Sequence, residues 1–279
     1  MLKPFSSIIL FVVLPLMGLT QGSIGSFTGD ESVFYAQTKQ MNQFFRRFNG
    51  EEDAQGKRFY PGDAGYRDPK ARKKYVNILF DASSTSISGD MKFVFTEEVL
   101  SKKDPVFLDF HANNWFAEVT ASFMYMKEKV DILLYLKIER QNDGYKWVFS
   151  NVYCDRFQSW FTHINDTTNQ KYFIHPMSHE LDFMNLHKIF KDGEKIDYYL
   201  ERDYQPDQLS IFVMEMNNGN LKFVSVNNVK FHVFQVPNWY FEVSYFNRNN
   251  YNSGWLISNL LRVNEKEKSD LLRHYSQVK

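Results

Sequence analysis

Trp115-Phe-Ala-Glu-Val-Thr-Ala-Ser-Phe-Met-Tyr125 is the stretch from which the fold of this chain is read. Trp115, Ala117, Val119, Ala121, Phe123 and Tyr125 alternate with Glu118, Thr120 and Ser122. A period of two over eleven residues predicts a strand with one face on a core. Val130, Ile132, Leu134, Leu136 and Ile138 repeat the pattern after the polar turn Lys127-Glu128-Lys129. A third strand, Tyr145 to Tyr153, follows Asn142-Asp143-Gly144, whose Asp-Gly pair predicts a tight hairpin with positive φ. Short turns between successive strands predict an antiparallel meander.

Toward the N-terminus the period changes. Phe34, Met41, Phe44, Phe45 and Phe48 recur at helical spacing between Asp30 and Phe48. A loop from Gly50 to Pro69 follows, then a helix across Lys70 to Phe80 with Tyr75, Val76, Leu79 and Phe80 inward and Lys70, Arg72, Lys73 and Lys74 outward. Toward the C-terminus the layout begins again. Ser178 can cap a helix carrying Leu181, Met184, Leu186 and Phe190, and a short helix is expected over Glu194 to Arg202. Strands are expected at Leu209 to Met216, Leu221 to Val236, Trp239 to Asn247 and Gly254 to Val263, with Asn218-Gly219 as a hairpin turn. Residues 265–279 read as a polar tail or helix.

The two segments also share wording. Trp147-Val-Phe-Ser150-Asn151-Val152 closes the first and Trp255-Leu-Ile-Ser258-Asn259-Leu260 closes the second, 108 residues on. That offset would pair Arg140 with Arg248. The apolar faces Ile132, Leu134, Leu136, Ile138 and Trp239, Phe241, Val243, Tyr245 match only at 107. A one-residue slip would turn every side chain to the other face, so the second turn is expected to be one residue longer and the arginine match to be coincidence.

The first residues predict a destination. Lys3 precedes the apolar run Ile8 to Leu14, too short to span a bilayer, and small residues at Gly18, Thr20 and Gly22 suit cleavage before Gln21 or Ser23. Residues 1–22 are read as a secretory signal peptide, so the mature chain is expected outside the cytoplasm, periplasmic or extracellular, with no transmembrane segment. The 33 basic residues balance 33 acidic ones, which removes the electrostatic reason to expect nucleic acid as a partner. Cys154 is the sole cysteine, expected as a buried thiol, so no internal disulfide can form and stability rests on burial, much of it from 27 Phe, 16 Tyr and 5 Trp. Asn165-Asp166-Thr167 is a formal glycosylation sequon.

Motifs that would fix a reaction are scarce. His163, His175, His179 and His187 crowd into one segment, with His175 and His179 the candidate metal ligands. His179-Glu180 opens like a metalloprotease helix, but Phe183 stands where its second histidine belongs, and neither metal nor cofactor is expected. There is no Gly-rich phosphate loop and no Gly-x-Ser-x-Gly elbow. Asp109 and His111, on one face of a strand Phe107 to His111, are the candidate acid/base pair.

A long N-terminal helix followed by a meander that ends in Gly-Tyr-Lys-Trp147-Val-Phe-Ser-Asn or Ser-Gly-Trp255-Leu-Ile-Ser-Asn resembles the nuclear-transport-factor-2-like cone family and the related cystatin-like layout. The resemblance covers most of Asp30 to Val263 as two tandem copies. It implies an α+β fold with a first cone-like domain at 23–158, a connection at 159–177 carrying Trp160, and a shorter second one at 178–264, which could pack as a pseudo-dimer. That family includes ketosteroid-isomerase-like and dehydratase-like enzymes as well as non-catalytic binding domains, so fold alone does not decide activity. Enzymes of this kind need a carboxylate or histidine in a dry pocket, and Asp109 or His111 is the candidate base. The aromatic candidates for ligand contact are Tyr125, Trp147, Trp239, Tyr245 and Trp255. The expected function is a non-enzymatic binding protein that takes a small ligand or a cell-envelope protein on its concave sheet faces or the junction between halves. Its alternatives are such an enzyme and a structural subunit of an envelope assembly pairing through edge strands.

Overall fold

The computed structural model describes residues 41–53, 55–159, 207–249 and 252–276, together with Phe190 and Tyr199. The expected signal peptide, Trp160, the sequon and His163, His175, His179 and His187 lie outside the described residues, as do residues 30–40 of the first expected helix and, apart from Phe190 and Tyr199, the helices expected from Ser178 and from Glu194.

Six strands form one antiparallel sheet: β1 (Trp115–Tyr125), β2 (Glu128–Gln141), β3 (Gly144–Tyr153), β4 (Leu221–Val233), β5 (Trp239–Phe246) and β6 (Gly254–Arg262). Their order is β3-β2-β1-β4-β5-β6, so two three-stranded meanders join through their first strands. The segments expected as separate domains thus lie side by side in one sheet over one core. The alternation in Trp115 to Tyr125 sorts as read: its odd-numbered residues are buried in that core. At the β1–β2 turn Met126 and Lys127 both take positive φ, the two-residue geometry that matches strand twist. In the β2–β3 turn the positive φ sits on Asn142, not on the Asp-Gly pair.

The two meanders correspond residue by residue. Leu134 pairs with Val152 and Ile138 with Trp147; Phe241 pairs with Leu260 and Tyr245 with Trp255. Each ladder breaks at the same place, between Tyr135 and Leu136 and between Glu242 and Val243, leaving Ser150 and Ser258 as bulged residues. Ser150 Oγ donates to Tyr135 O at 3.1 Å, and Ser258 Oγ to Glu242 O at 3.4 Å. The shared Trp-x-x-Ser-Asn is therefore a bulge signature: the Trp faces the core, the Ser satisfies a carbonyl where the ladder opens, and the Asn turns to the other face. Six residues separate the paired Glu139 and Lys146, and seven separate Phe246 and Gly254, the longer turn that the side-chain faces required.

Helical residues 41–49 (α1) run onto the sheet with Met41, Phe44, Phe45 and Phe48 buried. The helix expected over Lys70 to Phe80 is α2 (Pro69–Ile78), capped by Asp68. Arg72, expected outward, is buried: its guanidinium donates to Phe48 O at 3.0 Å and to Val106 O, and stacks on Phe107. Burial, with Arg67 nearby, lowers its pKa to about 10. The loop between α1 and α2 is pinned by Arg67 on Glu51 at 2.6 Å. A further helix, α3 (Gly89–Val99), is capped by Ser88 and buries Phe95 and Val99.

After α4 (Asp155–Ser159), Leu209 to Met216 proves helical as α5 (Gln208–Asn217), which corrects the strand expected there. An unbroken apolar run fits either structure by pattern alone. The Asp207 side chain decides it by accepting from Leu209 N and Ser210 N. Asn218-Gly219 is then the helix end rather than a hairpin: Gly219 has φ 74° and its N–H donates to Met216 O. Helices α1, α2, α3 and α5 cover one face of the sheet, and their buried residues and the strands form one core. The last helix, α6 (Glu265–Ser276), takes the opposite face, where Leu271, Leu272 and Tyr275 meet Phe116, Phe234 and Tyr240. Cys154 is buried and burial raises its thiol pKa.

The paired arginines differ in environment. Arg140 is exposed, whereas Arg248 bonds Asp81 at 2.7 Å and Asn252 at 3.1 Å. Arg248→Met is expected to lower stability by about 1–3 kcal/mol by stranding a buried carboxylate, and Arg140→Met to stay within about 0.5 kcal/mol of wild type. Equilibrium denaturation of both variants decides this; equal costs would refute it. In the same assay Phe241→Ala, at the centre of the ring cluster Phe44, Phe48 and Phe95, is expected to cost about 3–5 kcal/mol.

Candidate functional site

Residues 43 and 47 stand one turn apart on α1, so their side chains share a helix face beside the buried stripe. That face, the outer side of α2 and the β5–β6 hairpin enclose a groove of about 300 Å³. Gln43, Arg47, Tyr75, Tyr245, Ser253 and Trp255 line it, and Arg47 is its one charged residue among the described residues. Tyr245 is 44% exposed, and its ring meets Trp255 edge-on at 5.4 Å.

Two donors in this wall lack a hydrogen-bond acceptor. The Trp255 side chain is 6% exposed and its Nε1 is buried without a partner, and Arg47 Nε is likewise unbonded. Arg47 Nε forms an ion pair with Glu52 Oε1 at 3.5 Å, an oxygen with no hydrogen bond of its own, while Arg46 Nε donates to the other oxygen, Oε2, at 2.8 Å. One buried carboxylate thus serves two guanidinium groups, and the cluster keeps one surplus positive charge beside the groove. Trp255 Nε1 is the donor with no acceptor facing it, a situation that costs on the order of 1–3 kcal/mol and is rare in folded proteins. A larger, more open groove of about 590 Å³ lies between α3 and the β4–β5 loop. Two of its three acids are engaged, Glu97 with Lys73 at 2.8 Å and Glu98 with Trp239 Nε1 at 2.6 Å and Arg262 at 3.0 Å, and the third, Asp104, is exposed to water. It offers no comparable need for a ligand.

A second polar arrangement lies on the opposite face, under α6. His232 is fully buried, with Nε2 donating to Glu118 Oε2 at 3.1 Å and Nδ1 2.7 Å from the Tyr240 hydroxyl. Tyr240 donates to Glu242 at 2.7 Å and meets the Tyr275 hydroxyl at 3.2 Å. Lys230 lies 3.2 Å from Glu118. Burial alone would raise the Glu118 carboxyl, but the His232 hydrogen bond, its charge and Lys230 outweigh it and hold the group below its ordinary value. Burial would lower Lys230, yet Glu118 and Glu242 raise it. Burial, Tyr275 and Glu242 push the Tyr240 hydroxyl far up. Phe116 and Tyr275 close over the imidazole at 4.8 and 4.5 Å. This network fastens α6 to the sheet and leaves no room for a substrate at His232.

The expected site residues divide accordingly. Tyr245 and Trp255 come together in the groove. Tyr125 and Trp239 are buried in the core, and Trp147 is half-buried against Trp115 at 5.5 Å. Asp109 and His111 lie in a loop rather than on the expected strand, exposed, with His111 Nδ1 4.0 Å from Asp109. His111 stacks on Tyr145 at 4.2 Å, and the Asp109 main chain is held by the Gln235 amide. Among the described residues no group of three or more His, Cys, Asp or Glu could hold a metal ion, and His175 and His179 lie outside them. No described helix is long and apolar enough to cross a membrane. Gln43 and Arg47 were not singled out by sequence, and Tyr75 was expected as an inward helix residue rather than a site residue; the 43/47 spacing is the one signal that could have found two of them.

A folded-state carboxyl pKa below the unfolded value adds stability above the ordinary carboxylate range, and that stability is lost as pH falls through it. Glu118 and Asp81, which Arg248 and the Ser83 N–H hold down against burial, both have this sign. Stability measured by denaturant melts is therefore expected to fall as pH drops below the ordinary glutamate value of 4.5, and Glu118→Gln should flatten that fall; an unchanged slope would refute the role given to Glu118.

No family model matches the chain, and no curated protein and no solved structure matches it significantly.

Proposed function

We propose that the chain is an exported, non-enzymatic binding protein, built from two tandem cone-like halves that resemble the nuclear-transport-factor-2-like and cystatin-like layouts. The α1–α2–hairpin groove is its ligand site. The observation that carries this reading is the meeting there of Tyr245 and Trp255, whose indole N–H has no hydrogen-bond partner, with Arg47, the one charged lining residue among the described residues. The tandem origin is supported by the shared ladder registers and the twin bulges at Ser150 and Ser258. A catalytic role of the isomerase or dehydratase type would need an enclosed base, and Asp109 and His111 stand at the surface.

Two measurements test this reading. The exported chain should give an intact mass starting at Gln21 or Ser23; retention of residues 1–22 in an envelope fraction would overturn export. Small-molecule screening by one-dimensional NMR should give ligands that perturb the Trp255 indole N–H, assigned with Trp255→Phe. Ligands that bind Asp109→Asn/His111→Gln as tightly as wild type support binding at the groove, and turnover that this double variant abolishes would replace it with the enzymatic reading.

A further inference from the structure

Resting on the binding site just proposed, the geometry points to a specific ligand class, and we infer that the groove recognises an acidic monosaccharide of the hexuronate type. Charge comes first. Arg47 is the one charged lining residue among the described residues, and the Arg46–Arg47–Glu52 cluster carries one positive charge in excess, so the groove favours an anion. The Arg47 side chain is 37% exposed, and a guanidinium can give a carboxylate two parallel hydrogen bonds. The volume of about 300 Å³ sits at the low end for ligand sites and suits one sugar-sized ring rather than an acyl chain. The remaining polar groups are uncharged and can both donate and accept: the Gln43 amide and the Tyr75 and Ser253 hydroxyls. A ligand with one carboxylate and several hydroxyls uses all of them, whereas benzoate would leave most without a partner. Tyr245, exposed and edge-on to Trp255, gives the ring face that the apolar C–H side of a pyranose covers.

The test titrates the full exported chain with sodium galacturonate, galactose and benzoate, following the Trp255 indole N–H by NMR. Galacturonate should shift that resonance saturably. Galactose should bind about tenfold more weakly or worse, as expected for loss of a charge-assisted hydrogen bond. Arg47→Gln should weaken galacturonate by a similar factor without changing galactose. Tyr245→Ala, at an exposed position where folding is not at risk, should weaken both sugars. Equal affinity for galactose and galacturonate, or wild-type affinity in Arg47→Gln, overturns the hexuronate assignment. Benzoate shifting the indole while both sugars do not would overturn that assignment and leave the groove standing as a binding site. No shift with any of the three would overturn the hexuronate assignment and turn attention back to the groove itself.

Discussion

The antiparallel pairing of β1 with β4 is the constraint on which the rest of the structure depends. Trp115 with Val233, Ala117 with Phe231 and Val119 with Val229 lie opposite one another at the middle of the sheet. Since each is the first strand of its meander, pairing them places β3 and β6 at the two edges and brings the helices of both segments to one face. A small side chain at Ala117 makes room opposite a large one. The Phe231 ring then sits among Trp255 at 4.9 Å, Trp115 at 5.7 Å and Trp147 at 6.4 Å. Three of the five tryptophans are thereby committed to the junction. Aromatic pairs at these separations add to area burial, which suits a chain with no internal disulfide to stabilise it.

The same register dictates what the opposite face must hold. Phe116 opposite His232 and Glu118 opposite Lys230 flank the central pair, so polar residues meet where α6 crosses the sheet. Taking the two ladders as equivalent, Glu118 opposite Tyr135 corresponds to His232 opposite Glu242. The positions match and the occupants differ. A sheet without α6 could leave these groups in water; with Tyr275 over His232 they must satisfy one another. The lowered Glu118 carboxyl and the raised Lys230 are the electrostatic record of that closure.

Much of the sheet was legible because alternation is a direct consequence of the pleat: β1, β2, β3, β5 and β6 appear within a few residues of where the pattern places them. The longer second turn was legible for the same reason, since faces cannot slip by one residue. Helix α5 was not, because Ile211, Phe212, Val213 and Met214 satisfy both periods and only the Asp207 cap separates them. Arg72 was misplaced because pattern assigns every cation to solvent, while two main-chain carbonyls and a ring make a buried guanidinium tolerable. Of the site, Tyr245 and Trp255 were visible as aromatics, but nothing local ties them to residues 43–47. That proximity is created by long-range contacts, as in Ile257 N–H donating to Leu79 O at 2.7 Å.

The groove belongs to one meander alone, and the extra turn residue explains why. Trp147 and Trp255 occupy matching places beside their bulges, yet Trp147 ends against Trp115, and its hairpin meets the 109–111 loop, where Tyr145 stacks on His111, rather than a helix. The longer hairpin after β5 instead folds onto the end of α2. Arg248 reaches Asp81, Asn252 Nδ2 donates to Phe80 O at 2.9 Å, and Asn252 Oδ1 accepts from Ala82 N at 2.8 Å. Fixed at three points, the hairpin holds Ser253 and Tyr245 at a distance from α1 that side chains do not fill, and Arg47 is left facing the gap. A short two-residue turn could not reach α2, so its strand ends would lack that anchor. One inserted residue thus lets Trp255, more deeply buried than its counterpart Trp147, wall a groove on one side while it packs on Phe231 in the junction that holds the sheet together.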